Sequence, residues 1–315
     1  MGAIGERIDV PIYQQEPSMD TDVAARSVLA PFVAQNGRRL GSRLRYYLQL
    51  WQARNAYHEY GDQYPYPLLF VAGLPKSGTS WLESMLSSYP GYQNVTIPEA
   101  VAYELRTGGS HDFDLPADTV ERFENALVVS KLHVHGSRHN AQLLHEVDVP
   151  YVVLYRDLRD VAVSHYFYVR RTPWHPEYED YRGLDVDEGL LHFGRTLLPE
   201  FVDWMRSWRE RRDPEQSIEL RYEDLLDDTE GEFRRVASHF GLDASLPTIE
   251  RIVAEHRFET MSNGRSRGEA DAGSFVRKGV SGDWQTHFTN RVKDLFKRHT
   301  EEALVDFGYE KDLSW

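Results

Sequence analysis

The chain predicts a single-domain α/β fold of three layers, a central and mostly parallel sheet flanked by helices. Three observations carry that prediction. The apolar run Leu68-Leu69-Phe70-Val71-Ala72-Gly73 has the length of a strand and passes through a glycine-containing loop into a helical pattern. The run Tyr151-Val152-Val153-Leu154-Tyr155 does the same through a charged turn, and it is apolar throughout, as a parallel strand covered on both faces must be. Further apolar runs recur at residues 127–129 and 218–220 with helical patterns between them, and strand–helix alternation favours parallel strands joined by crossovers.

Ahead of the first strand, residues 1–20 read as irregular, and Asp20-Thr21-Asp22 can cap a helical region running to about Tyr60. Within it Arg38, Arg39, Arg43, Arg45 and Arg54 are interleaved with Leu40, Leu44, Tyr47, Leu48 and Trp51. A helix packed on the domain with solvated arginines is the expected reading; a basic amphipathic helix lying on an anionic membrane is the alternative. Residues 1–62 are thus an extension and helical lead-in, and residues 63–315 the α/β domain. With 315 residues and 41% hydrophobic content the chain can bury one substantial core.

Composition narrows the function. There are 36 Lys plus Arg against 50 Asp plus Glu, a formal charge of −14, which argues against a nucleic-acid surface and makes a local basic pocket conspicuous. The absence of cysteine excludes disulfides, thiolate catalysis and cysteine-ligated zinc and fits a reducing compartment. No stretch is apolar enough to span a bilayer and the first residues lack a signal-peptide core, so a cytoplasmic location is expected.

The loop after the first apolar run, Gly73-Leu74-Pro75-Lys76-Ser77-Gly78-Thr79-Ser80-Trp81, reads as a phosphate cradle. Backbone N–H groups at a helix start are unpaired and carry the positive end of the helix dipole, and Ser77, Thr79 and Ser80 add hydroxyls. The glycine spacing is that of a P-loop, but Thr79 stands where a nucleotide triphosphatase has lysine, and the lysine lies inside the loop at Lys76. A kinase that holds Mg²⁺ and a triphosphate would need the lysine after Gly78. Two more segments have the same flavour. Arg156-Asp157-Leu158-Arg159-Asp160-Val161-Ala162-Val163-Ser164 would place Arg156 at the carboxyl end of a strand and Ser164 about two helical turns later. Near the end of the chain lies Phe275-Val276-Arg277-Lys278-Gly279-Val280-Ser281-Gly282-Asp283-Trp284. Of only six lysines, Lys76, Lys131 and Lys278 fall in this proposed site.

These three segments, in this order, resemble the donor-binding segments of the sulfotransferases that use 3′-phosphoadenosine 5′-phosphosulfate (PAPS), both cytosolic-type and bacterial. Pro75 to Trp81 is similar to the 5′-phosphosulfate loop P-K-[ST]-G-[TS]-[TS]-W. The segment from Arg156 to Ser164 is similar to R-[ND]-x-[RK]-D-x-x-[VA]-S, whose Arg and Ser grip the 3′-phosphate. The last segment is similar to R-K-G-x-x-G-D-W, a loop that closes over the nucleotide, so Phe275, Arg277, Lys278 and Gly279 are implied on the donor. Tyr222 in Tyr222-Glu223-Asp224, Phe258 and Trp81 are implied on its adenine side. For each of these aromatics ordinary core packing is the other reading.

Between the phosphate segments lies Ser130-Lys131-Leu132-His133-Val134-His135-Gly136. On a strand His133 and His135 would share a face, so spacing alone does not choose between them. The Lys-x-His resembles the family's K-[TS]-H, which implies His133 as general base with Lys131 as its cationic companion and Lys76 on the leaving phosphate. Glu99 in Ile97-Pro98-Glu99 is another possible base. The resemblance implies sulfuryl transfer from PAPS to a hydroxyl or amine of a small-molecule, lipid or glycan acceptor, with PAP (3′,5′-adenosine bisphosphate) as product and no metal. A kinase and a non-catalytic nucleotide-binding module are the other classes. Tyr166, Phe167, Tyr168, Trp174, Tyr178 and Tyr181 would line an apolar acceptor pocket or pack, whereas Arg265 and Arg267 would suit an anionic acceptor. After Trp284 the chain departs from the family's dimerisation signature, carrying Gln285, Thr289, Asn290 and Asp294, so no particular oligomeric state is implied.

Overall fold

The structure, a computed structural model, describes residues 29–271, 273–274 and 277–315, with side chains described from residue 41. The expected irregular start, the Asp20-Thr21-Asp22 cap and Phe275 lie outside the described residues. Five strands, β1 (Leu68–Gly73), β2 (Gln93–Asn94), β3 (Val128–Leu132), β4 (Tyr151–Tyr155) and β5 (Ser217–Arg221), form one sheet in the order β2-β3-β1-β4-β5. Every neighbouring pair is parallel. The two-residue β2 was not foreseen, because it is too short to show a period.

Successive residues of a strand face opposite ways, and here each way is a core. Leu68, Phe70 and Ala72 of β1 join Val153 and Tyr155 of β4 in a layer shared with α1 (Leu29–Tyr60) and the helices Val186–Thr196, Leu198–Arg211 and Asn290–Thr300. Leu69 and Val71 pack with Val152 and Leu154 against α2 (Thr79–Leu86) and the helices Thr229–His239 and Leu246–Glu255. A sheet buried on both faces cannot alternate apolar with polar residues, which is why these runs are continuous. The lead-in helix contributes Tyr46, Leu50 and Ala53, spaced i, i+4, i+7, to the first core.

The remaining helices that concern the site are α3 (Pro98–Thr107), α4 (Arg138–Glu146) and α5 (Leu158–Arg170). β1 lies between β3 and β4, so the carboxyl ends of the three central strands open onto one crevice, the usual ligand position in an open parallel sheet. Among the described residues, no helix is long and apolar enough to cross a membrane.

Candidate active site

The loop after β1 turns sharply through two left-handed positions, Lys76 (φ 66°) and Gly78 (φ 84°). Glycine takes such a φ at no steric cost, whereas at Lys76 it is uncommon and held by surrounding structure. A Cβ on Gly78 would lie 2.7 Å from the Tyr222 ring, and one on Gly73 would lie 2.0 Å from Thr79 Cγ2, so only glycine lets the loop close. The amide of Leu74 donates to Leu154 O at 2.8 Å, and the Ser77 hydroxyl donates to Leu74 O at 2.5 Å. The fully buried Ser77 hydroxyl therefore braces the loop and does not point outward. Ser80 is half-buried in the first turn of α2, where the first N–H groups of a helix have no partner within it.

Lys76 Nζ rests 3.8 Å from the centroid of the Tyr168 ring. Burial, with Arg171, Arg156, Lys131 and Arg277 close by, pushes its pKa down to about 7. So many cations around one ammonium is an arrangement that an anion would relieve.

β1 and β3 run in register, Ala72 beside Leu132, so His133 follows opposite Gly73. His133 Nδ1 lies 2.6 Å from Gly73 O. A carbonyl only accepts, so the proton sits on Nδ1 and Nε2 keeps its lone pair. Burial, then Lys131 and His111, push the His133 pKa well below the usual imidazole value, and the ring is neutral at pH 7. Its backbone is fixed from the other side by Trp204 Nε1, which donates to His133 O at 3.1 Å. Lys131 Nζ lies 4.0 Å from Glu83 Oε2 on α2.

Arg156 follows β4 and is 8% exposed. It donates to Lys76 O at 3.2 Å and to Val280 O at 3.0 Å, and its guanidinium lies 4.2 Å from the Tyr222 ring centroid. It thereby ties the phosphate loop to the carboxyl-proximal segment. Its Nε is buried without a hydrogen-bond partner among the described residues. Ser164, on α5, makes no side-chain hydrogen bond among the described residues and is half-buried. Trp81 sits edge-on to Tyr222 with centroids 6.4 Å apart and donates from Nε1 to His256 O at 2.9 Å.

The segment from Arg277 to Trp284 is strapped down by acids that sequence reading did not single out as anchors. Asp160 accepts from Gly282 N at 2.6 Å and Trp284 N at 2.9 Å, while its i+4 partner Arg156 is 3.8 Å away. Asp283 pairs with Arg277 and, at 2.5 Å, with Lys278. Burial raises the Asp283 pKa, but His287, Lys278 and Arg277 outweigh it and hold the carboxyl far below the usual range. Gly279 (φ 64°) packs so closely on Phe258 that a Cβ would meet the ring at 2.3 Å. The expected residues Arg277, Lys278, Gly279 and Phe258 are thus brought together.

Other expectations fare differently. Glu99 is exposed at the start of α3 and accepts from Arg122 at 2.9 Å. β3 ends at Leu132, so the alternation that would align His135 with His133 stops there. His135 instead lies 3.7 Å from Glu200, which also accepts from His111 N at 2.8 Å. Burial raises the Glu200 pKa, but His111 and His135 hold it well below the carboxylate range. Tyr166 and Tyr181 are core residues, 1% and 0% exposed, and do not line an open pocket. Arg265 donates to Glu269 O and Arg277 O, and Arg267 to Leu226 O, so both brace loops. His111, whose ring lies 5.8 Å from that of His133, carries no local signal in the sequence, and Tyr168, expected only as an acceptor-pocket or packing aromatic, is the neighbour of Lys76.

A glycine loop at a helix start, convergent cations and a neutral imidazole with a free lone pair define a group-transfer site on a parallel sheet. The sulfotransferase domain model matches residues 67–308, and the chain belongs to that family of enzymes. Human sulfotransferase 1C2 is 24% identical over 264 residues, covering 77% of this chain and 86% of its own. Sulfotransferase 1E1 of Cavia porcellus is 22% identical over 276 residues, covering 82% and 88%. Among solved structures, a mouse sulfotransferase complexed with PAP aligns with a TM-score of 0.57 at 18% identity, covering 82% of this chain and 93% of that one. A retinol dehydratase in complex with retinol and PAP aligns with a TM-score of 0.56 at 21% identity, covering 79% and 86%.

Proposed function

We propose that this sulfotransferase uses PAPS as donor and transfers its sulfuryl group to a hydroxyl of a small-molecule acceptor, with His133 as general base. The observation that carries the reading is the His133 Nδ1 contact with Gly73 O beside Lys76 and Lys131, which leaves Nε2 as a neutral proton acceptor among cations. The donor side rests on the fit of this chain's residues to an adenosine bisphosphate: the partnerless buried Nε of Arg156, the half-buried Ser164 and the mutually repelling cations around Lys76. That two structural neighbours are complexes with PAP agrees with it.

PAPS supplies the activated sulfuryl group and leaves as PAP. In this assignment the loop amides at residues 78–80, with Lys76, hold the 5′-phosphate end, and Arg156, Ser164, Arg277 and Lys278 hold the 3′-phosphate. Tyr222, Trp81, Phe258 and Gly279 enclose the base. Lys76 and Lys131 face negative charge that grows during transfer, fixed in place in advance. His133 Nε2 takes the acceptor proton and becomes imidazolium, its Nδ1–H still held by Gly73 O. A sulfuryl group carries less charge than a phosphoryl group, so lysines and amides suffice for it.

The test pairs calorimetry with turnover. Micromolar PAP binding, with AMP much weaker, together with transfer of labelled sulfuryl from PAPS to a panel of phenols and alcohols, supports the reading. Firm Mg-ATP binding with no affinity for PAP overturns it.

A further inference from the structure

α1 has two apolar faces, and among the described residues only one is covered. Tyr46, Leu50 and Ala53 are buried against the sheet, yet Leu44, Tyr47, Leu48 and Trp51 are 63%, 66%, 56% and 62% exposed. Their spacing, i, i+3, i+4, i+7, makes one continuous stripe two turns long. These four are half of the eight large apolar side chains that stand exposed among the described residues; the other four, Val147, Trp174, Leu246 and Leu313, are far apart in sequence. Isolated exposed apolar residues need no explanation, but a row of them does.

Charge on the same helix says what would cover that row. At about 100° per residue, Arg43 and Arg54 flank one margin of the stripe and Arg45 the other. All three are exposed. From Leu29 to Tyr60 the helix carries five arginines and one acid, Glu59, in a chain whose formal charge is −14. The stripe itself combines two leucines with a tyrosine and a tryptophan, side chains whose apolar body and polar tip suit a boundary between water and hydrocarbon. A second copy of the same stripe would bring arginines against arginines. An acyl layer under anionic headgroups meets both features at once.

We propose that the outer face of α1 docks on the surface of an anionic lipid bilayer, Leu44, Leu48 and Trp51 entering the headgroup–acyl boundary and Arg43, Arg45 and Arg54 meeting the headgroup phosphates and carboxylates. The binding is peripheral, and the inner face of the helix stays on the protein core. It is independent of the acceptor and of the base assigned above.

The full chain is mixed with vesicles of phosphatidylcholine alone and with vesicles containing a third phosphatidylserine, and sedimented at low and high salt. The expected result is binding to the anionic vesicles that salt weakens, at least tenfold above that to the neutral ones. Leu48→Glu/Trp51→Glu abolishes it, and Arg43→Gln/Arg45→Gln weakens it on the order of 30-fold, each lost charge counting for about tenfold or less. The second pair keeps the test decisive should the first pair perturb folding, and an unchanged Tm verifies the fold of each. Equal sedimentation with neutral and anionic vesicles overturns the proposal. So does a dimer in sedimentation equilibrium that Leu48→Glu/Trp51→Glu disperses, which would give the stripe to a second copy. Binding of the full chain to an acidic protein surface without any affinity for the anionic vesicles overturns it as well.

Discussion

The imidazole of His133 is clamped to the last carbonyl of the neighbouring strand, Nδ1 to Gly73 O at 2.6 Å. The register of β1 on β3 puts the two residues side by side, so the tautomer of the ring is set by the sheet itself. Burial next to Lys131 and His111 adds a strong preference for the neutral form. Nitrogen-15 correlation spectra of the free protein are therefore expected to show His133 as the Nδ1–H tautomer at pH 7. A depressed pKa means that protonation begins only at acid pH, so the ring signals should not titrate between pH 8 and 6.5. An Nε2–H pattern at pH 7 contradicts the assignment.

Lys76 makes a second pH prediction, of the opposite sense. Its pKa is lowered to about 7, so above neutrality a growing share of the free protein carries a neutral amine there. An anion at the loop restores the charge and raises that pKa. PAP binding should then take up protons between pH 7 and 9, and affinity should fall as pH rises through that window. Calorimetry in two buffers of different ionisation heat measures the uptake directly. Lys76→Met should remove the uptake, and persistence of the full uptake in that variant contradicts the prediction.

Asp160 holds the segment from Arg277 to Trp284 by two backbone amides, at 2.6 Å and 2.9 Å, from a position 1% exposed. Asp160→Ala strands both donors and leaves Arg156 without its acid, which costs about 2–4 kcal/mol of stability. Since the strapped segment carries Arg277 and Lys278, PAP affinity should also drop, on the order of 10- to 100-fold, by about 1.4 kcal/mol per tenfold. Denaturant unfolding and calorimetry on the same variant read both effects.

Gly279→Ala should be disproportionately harmful for a single methyl. The position has φ 64°, and the added carbon would lie 2.3 Å from the Phe258 ring. The ring has to move, and the expected outcome is weaker PAP binding by about tenfold together with a Tm lower by a few degrees, since strain there costs roughly 1–3 kcal/mol. Wild-type affinity in this variant would separate Phe258 from the donor site.

Much of this was legible in the sequence, and the reasons are physical. A strand, a loop with left-handed positions and a helix start are encoded within a dozen consecutive residues, so the Gly73–Trp81 cradle could be read locally. The same holds for Arg156 after β4 and Tyr222 after β5, because a parallel sheet collects its strand ends on one edge. What failed to show is what depends on chain ends meeting across the fold. Asp160 reaches residues 122 and 124 positions later, and nothing at i+4 from Arg156 announces that its nearer partners are backbone amides. His133 and His135 looked equivalent because strand alternation was extended past Leu132, where the strand stops. Whether Tyr166 and Tyr181 line a pocket or pack stays open in the sequence, because burial has no signature in an isolated aromatic cluster, and both are buried. The outer stripe of α1 was visible as a pattern, but only the packing of Tyr46, Leu50 and Ala53 establishes that it is the second apolar face of that helix.

The most direct test of the account is His133→Ala, assayed for single-turnover sulfuryl transfer and for PAP affinity in the same preparation. Loss of a general base with the donor grip intact predicts turnover lower by roughly 10²- to 10⁴-fold while the PAP dissociation constant stays within about twofold of wild type. Turnover close to wild type, with PAP still bound, would contradict His133 as the base.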